Sequence, residues 1–145
     1  MYDELLGLRQ AIGRTLDRIE GAVVAGGAEG IATLGRSRWQ LGQQLHRYHA
    51  FALDRILPAF EPRQDEKGDA ARNLRQRCEE AAACFADHVT TWDVVSMLDR
   101  WADYRAAALA CLVQLRTKLE QQCREVALLF DIPAGETSKL SRSAA

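Results

Sequence analysis

Leu5, Leu8, Ile12, Leu16, Ile19 and Val23 recur at intervals of three and four residues, and the same rhythm returns in three further stretches of this 145-residue chain. That interval gathers apolar side chains on one face of an α-helix, a face that must then be buried against something. The first stripe stops at Gly26-Gly27. A second runs Ile31, Leu34, Leu41, Leu45, Ala52, Ile56 and Phe60, closed by Pro58 and Pro62 with the polar string "RQDEKGD" behind them as the longest loop. A third carries Leu74, Cys78, Ala81, Phe85, Val89 and Trp92, with Asp65 or Asp69 as N-cap and an end near Thr90-Thr91. The fourth is Trp101, Ala108, Leu112, Leu115, Leu119, Cys123, Val126 and Phe130, ended by Asp131-Ile-Pro. A turn or one-turn helix fills residues 93 to 98.

Four stripes with a short first connection predict antiparallel neighbours. The expected fold is all-α, an up-down-up-down antiparallel four-helix bundle in one domain over residues 1–131. Residues 132–145 are expected to be a disordered tail, because "AGETSKLSRSAA" has almost nothing to bury. With 48% hydrophobic residues and only 3 prolines, the composition suits one helical core.

A formal net charge of -1, with acidic and basic residues interspersed, leaves no electrostatic footprint for nucleic acid or an anionic membrane. The start "MYDELLGLRQ" lacks the basic opening of a signal peptide, and no apolar run approaches transmembrane length. A cytoplasmic protein is expected. Cys78, Cys84, Cys111 and Cys123 form no C-x-x-C pair, so reduced thiols are the default.

Bundles of this kind place metal and cofactor sites on side chains that face inward from opposing helices. At about 100° per residue, Tyr48 and His49 fall on either shoulder of the second stripe and His46 on its flank. Asp54 lies near the solvated face and cannot join His49 on one metal unless the helix is distorted. His88 lies at the edge of the third stripe, Cys123 inside the fourth with Glu125 pointing away, and Arg9 beside Leu5, Ile12 and Leu16. The inward polar inventory is therefore Arg9, Tyr48, His49, His88 and Cys123.

His49, His88 and Cys123 are the candidate metal ligands, since two imidazoles and a thiolate could hold one zinc with water as the fourth ligand. They come from three helices with no local spacing signature. The plainer reading makes the histidines hydrogen-bonded groups at the core's edge and Cys78 and Cys123 small core hydrophobes. Arg9 then snorkels or pairs with a carboxylate. Trp92, Trp101 and Tyr104 seal one end of the bundle, with the Tyr104 hydroxyl reaching a polar group.

Three pieces of the chain resemble the bacterial hemerythrin-like domains over roughly residues 1 to 130: "RSRWQLGQQLHRYHAFALDRILPAF", "CFADHVTTWDVVSMLDRWADYR" and "LRTKLEQQCREVALLF". The resemblance implies a bundle in which a first-helix histidine, an H-x-x-x-E pair on the second helix, histidines on the third, and a histidine and carboxylate on the fourth hold two irons that bind oxygen. Carried over by position, the second-helix pair falls on Tyr48 and Ala52, the first-helix histidine on Arg9, and the fourth-helix carboxylate on Gln122 or Cys123. His88 is the one imidazole offered by the third helix, and His49 stands one step out of register.

The expectation that follows is a non-catalytic, metal-free relative, not an enzyme, acting as an interaction or regulatory module with a protein partner or a second copy of itself. No cofactor is expected. One alternative is a residual site for a single zinc or iron on His49, His88 and Cys123. The other is a small ligand in the vacated centre, among Arg9, Tyr48, Ala52 and Gln122.

Overall fold

The computed structural model describes residues 1–133 and 136, and among these it contains helices and turns but no strand. Helix α1 is Tyr2–Ala25, α2 is Gly27–Phe51, α3 is Glu66–Thr91, α4 is the short Val94–Asp99, and α5 is Trp101–Leu129. The tail expected at 132–145 lies outside the described residues from 134 onward, residue 136 excepted. None of the described helices is long and apolar enough to cross a membrane.

Only Gly26 separates α1 from α2. The reversal uses φ values of 64° at Gly26 and 71° at Gly27, a left-handed region that a Cβ disfavours. The glycine pair that ended the first stripe is thus the turn itself.

Contacts between the long helices run in opposite directions along each pair. On α1 and α2, Arg18 donates to Gln40 (2.8 Å), while Arg9 lies farther down α1 beside Tyr48. On α1 and α5, Arg116 meets Asp17 (2.6 Å), Arg9 lies by Cys123, and Tyr2 stacks at 5.6 Å from Phe130. On α3 and α5, Lys67 pairs with Asp131 (2.7 Å), the Gln122 amide reaches the Arg77 carbonyl (3.2 Å), and Cys84 meets Gln114 (3.3 Å). The packing of α1 on α2 and of α3 on α5 is extensive, and that of α2 on α3 is much slighter.

The stripes supply the core. Ile12, Leu16, Leu34, Leu41, Ile56, Leu74, Leu115 and Leu119 are fully buried among their neighbours. Asp65 is the N-cap of α3, accepting from the Gly68 amide at 3.1 Å, and Asp93 caps α4 by accepting from Ser96 (2.7 Å). Capping at Asp65 shortens the loop expected over "RQDEKGD", whose second half has become the first turn of α3. The remaining loop is tied down by Arg72, which donates to the Glu61 carbonyl (2.7 Å), and by the Arg75–Glu61 ion pair.

The end of α2 departs from a regular helix. Residues Ala52–Ile56 form a π turn and Leu57–Ala59 a 3-10 turn. Pro58 explains this: it has no N–H to give, and its ring crowds the carbonyl four residues earlier, at Asp54. The turn before it widens, so that the Leu57 amide bonds the Ala52 carbonyl five residues back.

Candidate functional site

Among the described residues, the buried polar side chains include Arg9, Thr15, Ser37, His49 and Gln122, beside the aromatic hydroxyls of Tyr48 and Tyr104. Arg9 lines a cleft with the fully buried Tyr48, whose ring lies 5.7 Å from that of His49, and Gln122 meets His49. Each helix brings them in by its own stripe. Arg9 is one turn beyond Leu5 on α1, Tyr48 is one turn beyond Leu45 on α2, and Gln122 is one turn beyond Leu119 on α5.

Gln122 holds His49. Its amide nitrogen lies 3.4 Å from His49 Nε2 and donates to the Arg77 carbonyl at 3.2 Å. Burial first, and the neighbouring charge of His46 second, lower the His49 pKa to about 4. The imidazole is therefore neutral near pH 7, and an amide donor at Nε2 leaves the ring proton on Nδ1. Gln122 Oε1 is buried with no hydrogen-bond partner.

Arg9, Tyr48 and Cys123 line a narrow cleft with Tyr2, Leu5, Leu6 and Val126, of about 20 Å³. Burial raises the Tyr48 pKa well above that of an ordinary phenol, with Cys123 adding and Arg9 opposing. Burial likewise raises the Cys123 thiol against the pull of the Arg9 guanidinium beside it. Both groups stay protonated at neutral pH. Arg9 Nε is buried and unpartnered. Ala52 is fully buried four residues after Tyr48, at the start of the π turn.

The three candidate metal ligands are not brought together. His88 is half-buried at the far end of the helices, with its ring 5.8 Å from that of Tyr104. Arg38, also over Tyr104 (5.8 Å), stands eleven residues before His49 on α2, roughly 16 Å along the axis. Burial, then the charge of Arg38, lowers the His88 pKa. Among the described residues, no group of three or more His, Cys, Asp or Glu side chains could hold a metal ion.

Other placements differ from what periodicity implies. Asp54 does share an open cleft with His46 and His49, because the π turn rotates it away from a regular helix position. Glu125 is half-buried near Arg77 rather than turned away, and burial raises its pKa. Cys111 is buried and pushed up to about 12 by burial and by Cys84 next to it, whereas Cys123, expected deep in the core, is only intermediate in exposure. Cys84 is also intermediate, and Cys78 is buried.

At the opposite end, Trp92 and Trp101 both pack on Tyr104, with centroids at 5.7 and 5.5 Å, as a sealing aromatic group would. Arg38 donates to the Trp92 carbonyl at the C-terminus of α3, where the helix dipole favours a cation. Tyr2 was not singled out from the sequence, although its spacing from Leu5 and Arg9 places it on their face of α1.

No family model, no curated protein and no solved structure matches this chain.

Proposed function

We propose that the chain is a hemerythrin-like up-down-up-down bundle whose centre has lost the capacity for a di-iron site and that acts as a non-catalytic interaction or regulatory module. The observation that carries this reading is the burial of Arg9, Tyr48, Ala52 and Gln122, the first two of which line one cleft. These are the positions to which the resemblance assigns iron ligands, and they come from three helices. The antiparallel contacts along α1, α2, α3 and α5 support the same topology.

The donors there do not fit iron. A hard cation of this kind takes carboxylate and imidazole ligands. A guanidinium, a protonated phenol, a methyl group and an amide give it nothing of the sort, and the nearest imidazole, His49, is occupied by Gln122. A cation beside the buried charge of Arg9 would also be repelled.

The module reading draws support from an apolar groove between α2 and the α3–α4 corner, lined by Trp39, Phe85, Val89 and Val94. Trp39 is 70% exposed, an unusual degree for so large an apolar side chain.

Metal analysis of protein purified without chelator and then exposed to iron and air tests the proposal. Less than stoichiometric iron and no oxo-bridged iron absorption are expected. Two irons per chain would overturn it. One zinc per chain, abolished by His49→Ala, would replace it with the residual metal site.

A further inference from the structure

Two of the four cysteines stand together where α3 packs on α5. The Cys84 thiol donates to Gln114 Oε1 at 3.3 Å, and Gln114 lies one helical turn after Cys111 on α5. The thiols of Cys84 and Cys111 are themselves in hydrogen-bond contact. Because the Cys84 hydrogen is given to Gln114, the Cys84 sulfur is the acceptor in that contact and Cys111 the donor. Gln114 thus draws the Cys84 sulfur toward α5, where Cys111 meets it.

The helices suit a bond at this point. Ala81 and Ala108, each one turn before its cysteine on the same face, are both buried, and small side chains let two helices approach to about 8 Å between axes. Close approach of this kind is what a disulfide needs, since its Cα atoms must stand within roughly 7 Å of each other. Access is unequal within the pair. Cys84 is partly exposed, whereas Cys111 is 9% exposed and is kept protonated by its burial and by Cys84. A reagent in solution therefore meets Cys84 first, and Cys111 needs to reach only the Cys84 sulfur.

We propose that Cys84 and Cys111 form a reversible disulfide between α3 and α5, made by exchange with a low-molecular-weight disulfide that enters at Cys84 and is resolved by Cys111. Cys84 gives its proton to solvent, and its thiolate attacks one sulfur of the reagent, whose other half leaves and takes up a proton. Cys111 then gives up its proton, attacks the Cys84 sulfur of the mixed disulfide and expels the second half as a thiol. Two protein thiols are oxidised and one external disulfide is reduced to two thiols. The bond closes the end of α3, all of α4 and the start of α5 into a covalent loop, which restricts the unfolded chain and makes the oxidised protein harder to melt. The inference rests on the α3–α5 contacts, independently of the hemerythrin-like reading. Iron analysis decides that reading, and thiol content decides this one.

The test is incubation of the folded full chain with oxidised glutathione, acid quenching, alkylation in denaturant and mass spectrometry. Free thiols should fall from four to two with no glutathione retained, and the peptides of Cys84 and Cys111 should be joined within one chain. Tm should rise on oxidation and return on treatment with dithiothreitol. In Cys111→Ala, glutathione should remain on Cys84 as a stable mixed disulfide. Should that variant not fold, Cys84→Ser alters a partly exposed position and keeps a hydroxyl donor for Gln114, and its Cys111 should stay free under the same treatment. A native chain that keeps four free thiols, that retains glutathione on Cys84 beside a free Cys111, or that joins a different pair of cysteines would overturn the proposal, as would oxidation of Cys111 in Cys84→Ser.

Discussion

Acidifying the protein from about pH 7 to about pH 5 should cost it about 2 kcal/mol through His49 alone. In the folded chain the imidazole titrates at about 4, against 6.5 for a histidine in water. The unfolded state therefore takes up a proton first, and stability falls as pH drops below 6.5 until the folded imidazole is itself protonated near 4. Each unit of difference is worth about 1.4 kcal/mol, and most of the span between the two values lies above pH 5. The lower bound of the experiment matters. Glu61, Asp65 and Asp93 have pKa values lowered by Arg75, Arg63 and the α4 amides respectively, so their contributions are lost only in more acidic solution. Urea unfolding followed by tryptophan fluorescence at the two pH values measures the change. His88 acts with the same sign, so the decisive quantity is the difference between the native chain and His49→Gln, which can still meet the Gln122 amide but cannot titrate. The variant should lose most of the pH dependence, whatever its stability at pH 7. An identical pH dependence in the two proteins would show that His49 is solvated, and its burial would have to be redrawn.

Two shorter predictions concern the loop and the thiols. A Cβ at Gly68 would stand 1.9 Å from the Arg63 carbonyl oxygen, so Gly68→Ala must displace the loop that enters α3 and should lower stability by roughly 2 kcal/mol, read from the urea midpoint. In the native protein a thiol reagent should modify Cys84 first and Cys78 and Cys111 last, the latter two being buried with pKa values of about 12, as mass spectrometry of timed samples would resolve. Early labelling of Cys111 would contradict its placement between α3 and α5.

Much of this architecture is written in the order of residues. Spacing alone outlines α1, α2, α3 and α5, Gly26-Gly27 marks the first reversal, and Asp65 and Asp93 sit where helices need a side-chain acceptor. Arg9 and Tyr48 were readable as inward groups for the same reason, since a stripe defines which face of its own helix is covered. What a stripe leaves open is how far each helix is shifted along its axis against the next, and how deeply neighbours cover its margins. Those decide that His88 stands a long way from His49, that Cys111 is deeper than Cys123, and that Gln122 rather than a third-helix histidine meets His49. The position of Asp54 was lost for a different reason. Counting 100° per residue assumes a regular helix, and the crowding at Pro58 opens a π turn that rotates Asp54 into the cleft of His46 and His49. Local sequence therefore determined the helices and the faces they bury. The tertiary packing decided which buried polar groups meet, because those meetings depend on distances between helices that no single helix's periodicity contains.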